Sequence, residues 1–198
     1  MSRTKLFCIC TLVASLVFLV GGAFAATTPP ADTLKVDYFA NAGGSTDATV
    51  RITNPGTQNH INLCADIFVF DQDQEMKECG SCEVTPDGLR TLSVNTDLTS
   101  NPANGIKPVN GAIKVVSAYL TNGACPLPTG HTSTGTTINP VAAVRVWATH
   151  VQNNGTLTEG DSQDATFSTG EYTALEQGCQ AIATIGSGTG LLTCGTGD

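Results

Sequence analysis

The chain has 198 residues, with nine Lys and Arg against seventeen Asp and Glu, a formal net charge of −8 and only 13% charged residues. This acidity leaves no basic footprint for nucleic acid or anionic lipid. Sparse charge combined with plentiful Gly, Thr, Asn and Ser separates the chain from helical cytoplasmic enzymes and coiled coils.

Residues 1–25 carry the pattern of a secretory signal peptide. Arg3 and Lys5 form a basic start, Leu6 to Val20 is apolar except for Thr11 and Ser15, and Ala23-Phe24-Ala25 is a small-x-small cleavage step. Cleavage after Ala25 leaves 198 − 25 = 173 residues, enough for one domain with a hydrophobic core. It also removes Cys8 and Cys10. Six cysteines, Cys64, Cys79, Cys82, Cys125, Cys179 and Cys194, then enter an oxidising compartment where disulfides are expected. No later apolar run reaches the roughly 20 residues of a membrane helix, and no lipobox is present. No transmembrane anchor is therefore expected after cleavage, and the destination is periplasm, cell surface or medium.

Residues 26–33 read as a flexible, Pro-containing leader. Leu34, Val36 and Tyr38 alternate with Lys35 and Asp37 and predict a first strand. Thr49 to Thr53 alternates again and ends at Asn54-Pro55-Gly56. The clearest strand sets Ile61, Leu63, Ala65, Ile67 and Val69 on one face and Asn62, Cys64, Asp66, Phe68 and Phe70 on the other. Asp71 to Gln74 has turn character, and Glu75 to Cys79 reads as the returning arm. Leu89 to Val94 is a short strand, 95–110 a loop, Ala112 to Thr121 a buried strand and 121–139 a second long loop. Val141 to Gln152 leads into the hairpin turn Asn153-Asn154-Gly155, with Leu157 opening the return. Ser168 and Glu171 have capping-box spacing. Tyr172, Leu175, Cys179 and Ile182 follow on one face of a helix near 170–185, which Gly178 weakens by roughly 1 kcal/mol. There is no internal repeat. The expected fold is mainly β: a disulfide-stapled antiparallel β-sandwich over 34–198 with one short C-terminal helix.

In a hairpin turning at 71–74, Cys64 faces a position between 79 and 82, which predicts a bridge from Cys64 to Cys79 or Cys82. Cys179 to Cys194 would close a second, short loop, and Cys125 would take the unused member of Cys79-Gly80-Ser81-Cys82. This is one of fifteen connectivities. A redox reading of that CxxC is disfavoured because Glu78 and Glu83 flank it. Zinc is disfavoured because neither a second CxxC nor a close His pair is present.

Asp71-x-Asp73-x-Glu75 opens like a calcium loop, since hard cations take clustered oxygens. The match fails at Met76, where Gly is needed, and at Cys82, where Glu is needed, so a solvated hairpin tip is the favoured reading and calcium the alternative. His60, His131 and His150 are well separated, and each is read as a lone histidine. Trp147 with Tyr119 could stack a sugar, but a core Trp is the favoured outcome. Arg145 reads as a partner for the acidic surface. Gly186 to Gly190 resembles a phosphate loop, but it lacks the Lys and follows a helix, so it reads as a reversal. No Gly-x-Ser-x-Gly or His-Glu-x-x-His is present.

Leu63-Cys64-Ala65-Asp66-Ile67-Phe68-Val69-Phe70-Asp71, Glu78-Cys79-Gly80-Ser81-Cys82 and Val84-Thr85-Pro86-Asp87-Gly88-Leu89 resemble secreted bacterial proteins of unknown function. The similarity extends through Leu92-Ser93-Val94-Asn95 to the tail around Cys179 and Cys194. It implies export and brings no catalytic or binding residue. Val50 to Gly56 is similar, more loosely, to strand-turn segments of bacterial surface β-sandwiches. The expected function is an exported, non-catalytic β-sandwich with a structural, adhesive or assembly role, no cofactor, and an extracellular protein or polysaccharide as partner. A carbohydrate- or calcium-binding module is the alternative, and a secreted hydrolase is the least supported class.

Overall fold

Period-two alternation builds most of the chain. In a computed structural model, residues 33–129, 139–165 and 167–194 are described. The expected signal peptide, the expected leader up to residue 32, and His131 lie outside them. The described elements are β1 (Leu34–Phe39), β2 (Thr49–Thr53), β3 (Leu63–Asp71), β4 (Met76–Val84), β5 (Leu89–Ser93), β6 (Gly111–Tyr119), β7 (Arg145–Val151), β8 (Leu157–Asp161), β9 (Gln163–Ala165) and α1 (Thr169–Ile185). A single π-helical turn, Val94–Leu98, opens the loop that follows β5.

Two antiparallel sheets result, one of five strands in the order β4-β3-β6-β1-β9 and one of four in the order β5-β2-β7-β8. Leu63, Ala65, Ile67 and Val69 of β3, with Ile113 and Val115 of β6, meet Val50, Ile52, Leu92, Val146 and Ala148 of the second sheet in one buried cluster. This is the sandwich core. The opposite face of β3 is buried as well. Cys64 and Phe68 pack with Leu34 and Val116 beneath Tyr172, Leu175, Cys179 and Ile182 of α1. The molecule therefore has three layers: helix, five-stranded sheet and four-stranded sheet.

Local chemistry fixes the joints. Asn153-Asn154-Gly155 closes the β7–β8 hairpin with Gly155 at φ +79°, a conformation glycine adopts without steric cost. The Gly155 N–H donates to the Gln152 carbonyl at 2.8 Å. Ser168 caps α1, its hydroxyl accepting from the Glu171 N–H at 3.1 Å. A Cβ on Gly178 would lie 2.6 Å from the Met76 methyl, so this glycine lets the helix sit close on β4 in return for its weak propensity. A bulge between Val69 and Phe70 brings Phe70 opposite Met76 and leaves Lys77 as the extra residue.

The three disulfides are Cys64–Cys125, Cys79–Cys179 and Cys82–Cys194, with Cα separations of 5.5, 5.7 and 5.4 Å. All six expected cysteines are bridged, but the expected pairing is wrong. Cys64 does not bridge to the CxxC, and Cys179 does not meet Cys194. Cys82 lies opposite Ala65 in register and faces the sandwich core, whereas Cys64 faces the helix layer. Cys79 shares Cys64's face but stands opposite Phe68, four residues and roughly 13 Å along the strand. Cys79 and Cys82 are three residues apart, so the pleat sends them to opposite faces. One takes the helix, the other takes the C-terminal segment, and Cys125 brings the post-β6 loop onto Cys64.

Three disulfides place the chain in an oxidising, non-cytoplasmic environment. Among the described residues no helix is long and apolar enough to cross a membrane.

Candidate functional site

The two outer faces of the sandwich differ. α1 covers the five-stranded sheet, whereas among the described residues no further layer covers the outward residues of the four-stranded sheet. Thr91, Arg51, Trp147 and Asp161 stand directly opposite one another on β5, β2, β7 and β8. Trp147 is the chain's single Trp and is half-buried there, between the exposed Arg145 and the buried Thr149 on the same strand. It is not a core residue, contrary to the expectation. Its neighbours Val146 and Ala148 point into the sandwich, and the pleat turns the indole outward.

The groups around Trp147 are polar and of both signs. Arg51 Nη1 reaches across β7 to within 3.6 Å of Glu159 Oε1. The Thr49 N–H donates to the Thr149 hydroxyl at 2.8 Å. Two shallow concavities flank the indole. One of about 380 Å³ is lined by Lys35, Arg145, Trp147, Asp161, Ser162 and Asp164, and one of about 360 Å³ by Trp147, Glu159, Gly160 and Asp161. This surface offers one aromatic face edged by planar charged donors and acceptors. Tyr119 is not part of it; its hydroxyl donates to Gln58 Oε1 at 3.0 Å, at the end of β6 in the other sheet. The structure does not bring Trp147 and Tyr119 together.

Where β8 passes into β9 at the sandwich edge, Asp37, His150 and Ser162 converge. The Ser162 hydroxyl donates to Asp37 Oδ2 at 2.6 Å, and Asp37 Oδ1 lies 3.4 Å from His150 Nε2. His150 Nδ1 donates to the Tyr38 carbonyl at 2.9 Å, and the two rings stack with centroids 4.0 Å apart. A catalytic triad requires the hydroxyl to reach the imidazole and the imidazole to reach the acid. Here the carboxylate stands between serine and histidine, so the cluster pins the corner and does not activate Ser162. His60 lies apart from this cluster, exposed and 3.9 Å from Asp87.

At the acidic tip, Asp71 Oδ1 accepts the N–H groups of Asp73 and Glu75, each at 2.9 Å. Lys77 Nζ lies 2.8 Å from Asp71 Oδ2 and 2.6 Å from Glu75 Oε2. Burial pushes the Asp71 carboxyl up, but the Lys77 ammonium and the two N–H groups outweigh it and hold it below the usual range. Lys77 is shifted up, burial being outweighed by Asp71 and Glu75. Asp73 points to solvent. The oxygens a calcium ion would take are thus already engaged by a lysine and the backbone. Among the described residues no group of three His, Cys, Asp or Glu side chains is arranged to hold a metal.

The burial of two acids, Glu78 and Glu176, was not expected from the sequence. Glu78 is enclosed, with Oε1 accepting the Asn101 N–H at 2.8 Å. Burial raises its carboxyl to about 7, offset in part by that N–H and by Lys107. Glu176 of α1 is buried against the sheet near Asp66. Its place on the inward stripe, one residue after Leu175 and three before Cys179, was the available signal.

Compared with family models, curated proteins and solved structures, the chain matches none.

Proposed function

We propose that this chain is an exported, non-catalytic β-sandwich with an adhesive or assembly role outside the cytoplasm, and that its contact surface is the open face of the four-stranded sheet around Trp147. The observation that carries this reading is the asymmetry of the two outer faces. A helix and the bridge Cys79–Cys179 close the first face, while the second leaves the chain's one indole half in solvent. Fully burying a large apolar side chain stabilises a fold by about 1.5–3 kcal/mol, and aromatic residues with Arg neighbours are the groups that dominate contact surfaces. Three disulfides suit a domain that must persist outside the cell.

A second reading, a saccharide ligand, is supported by the two concavities beside Trp147. A sugar ring can lie on the indole while Arg145, Glu159 and Asp161 meet its hydroxyls.

The test uses purified, oxidised protein. Sedimentation velocity reads self-association, and co-sedimentation with cellulose, chitin and peptidoglycan reads surface adhesion. The expected result is binding in at least one of these, abolished by Trp147→Ala in a protein that still unfolds cooperatively. Saccharide binding would also shift the emission of Trp147. Binding unaffected by Trp147→Ala, or no association with any of these partners, overturns the proposal.

A further inference from the structure

Each sheet ends in two strands, β4 and β9 in one and β5 and β8 in the other. The outer edge of such a strand carries backbone N–H and C=O groups with which a further strand can pair. Three of these edges are blocked, short or partly used. On β4 the Cys79 N–H donates to the Gly190 carbonyl at 2.8 Å, and the Cys79 carbonyl accepts the Leu192 N–H at 2.9 Å. The Lys77 carbonyl on the same edge accepts the Ala103 N–H at 2.9 Å. β9 has only three residues. On β5 the Ser93 N–H donates to Asp97 Oδ2 at 2.7 Å, and the Arg90 side chain donates to the Cys194 carbonyl at 2.5 Å.

β8 is the fourth edge. The Gln152 N–H donates to the Thr156 carbonyl at 2.8 Å and the Ser162 N–H to the Val146 carbonyl at 3.1 Å. Bonded positions alternate along an antiparallel ladder, so Thr158 and Gly160 turn their backbone groups toward β7. Leu157, Glu159 and Asp161 therefore turn theirs away from it. Among the described residues no strand pairs with them on that side; the Asp161 carbonyl accepts the Gln163 side-chain amide at 3.3 Å. The side chains of all three are exposed. Residues 146–198 contain no Lys or Arg. The cations near these acids come from the β7 side: Arg51 lies 3.6 Å from Glu159, and Arg145 lines the concavity that includes Asp161. The outer side of β8 is thus acidic.

We infer that the outer edge of β8 docks an extended, basic segment of a partner protein, which continues the antiparallel four-stranded sheet as a fifth strand. The outward N–H and C=O groups of Leu157, Glu159 and Asp161 supply the ladder. Residues of the added strand opposite Glu159 and Asp161 project on the same face as those acids, so Lys or Arg there meets an opposite charge. Charge also excludes the simplest other occupant, a second copy of this chain. Symmetric pairing centred on Glu159 sets that acid against itself, and pairing centred on Gly160 sets Glu159 against Asp161. Like charges directly opposite destabilise a strand pair. The inference goes beyond the Trp147 contact and stands without it, because the edge lies in the plane of the sheet, with β8 between it and β7.

The test is an NMR titration of isotope-labelled, oxidised protein with a blocked heptapeptide of alternating lysine and threonine. At peptide concentrations of about 1–5 mM, suited to a weak single-strand contact, the amides of Leu157, Glu159 and Asp161 should shift and exchange more slowly. In an antiparallel pair, the residues that face Glu159 and Asp161 also supply the bonded N–H groups. N-methylation of the lysines should therefore abolish binding, whereas N-methylation of the threonines should leave it intact. Glu159→Gln/Asp161→Asn, which changes only exposed side chains, should weaken binding about tenfold. Unshifted β8 amides, equal binding of the two methylated peptides, or full binding by the double variant overturns the inference. Protection of the same amides that grows with protein concentration in the absence of peptide would assign the edge to a second copy and overturn it as well.

Discussion

Removing the Cys79–Cys179 bridge as Cys79→Ala/Cys179→Ala should cost far less than its sequence separation of 100 suggests. Taken alone, a loop of that length is worth about 4.7 kcal/mol in the chain-entropy model. Cys82–Cys194, however, joins the same two segments. With it intact, the unfolded chain is still closed through three residues of β4 and fifteen of the tail, a loop of about eighteen residues and about 3 kcal/mol. The same holds if Cys82–Cys194 is removed first. Removing the second bridge then reopens a long loop, shortened only by Cys64–Cys125, and costs about 4.5 kcal/mol. Both bridges together should therefore cost about 1 kcal/mol more than the two single losses added. Urea unfolding of the two single-bridge variants and the combined variant measures this, and packing changes at each cysteine largely cancel in the cycle. Strictly additive losses, or single losses near 4.7 kcal/mol, would refute the interleaved geometry.

Other outcomes follow from the buried and exposed groups. Glu78→Gln should gain about 1–3 kcal/mol relative to wild type as pH rises from 5 to 8, because burial holds the Glu78 carboxyl up to about 7 and its ionisation opposes folding above the ordinary carboxylate range. Parallel pH profiles of the two proteins in urea would count against it. Calcium at about 5 mM, above the range of extracellular sites, should leave the melting temperature unchanged, because Lys77 occupies the tip between Asp71 and Glu75; a clear upward shift would show that the lysine can be displaced. Trp147→Ala should cost about 1 kcal/mol or less, whereas a loss of about 3–5 kcal/mol belongs to a core Trp and would place the indole inside.

Much of the architecture was legible. β2 occupies Thr49–Thr53, where alternation predicted it, and Ser168 with Glu171 marked the start of α1. Both faces of β3 were assigned to the right side sets, because period two needs no tertiary knowledge. What covers each face did need it: Cys64 and Phe68 share a face with Asp66, and only α1 explains how that face is buried. The cysteine pairing failed for the same reason. Register alone placed Cys64 near the CxxC, but parity decides which sulfurs can meet, and the partners come from segments far along the chain. β9 has three residues held by β1 and leaves no periodic signal. Trp147 was misplaced because composition favours a core Trp, while the burial of Val146 and Ala148 sets its direction. Glu176 was hidden by its charge, although its helix position pointed inward.

Non-reducing peptide mapping of the oxidised protein by mass spectrometry tests the central claim most directly, that Cys79 and Cys82 are split between a helix layer and a sandwich core. The predicted bridges are Cys64–Cys125, Cys79–Cys179 and Cys82–Cys194. A Cys79–Cys82 bridge, or free thiols at those two positions, would contradict it.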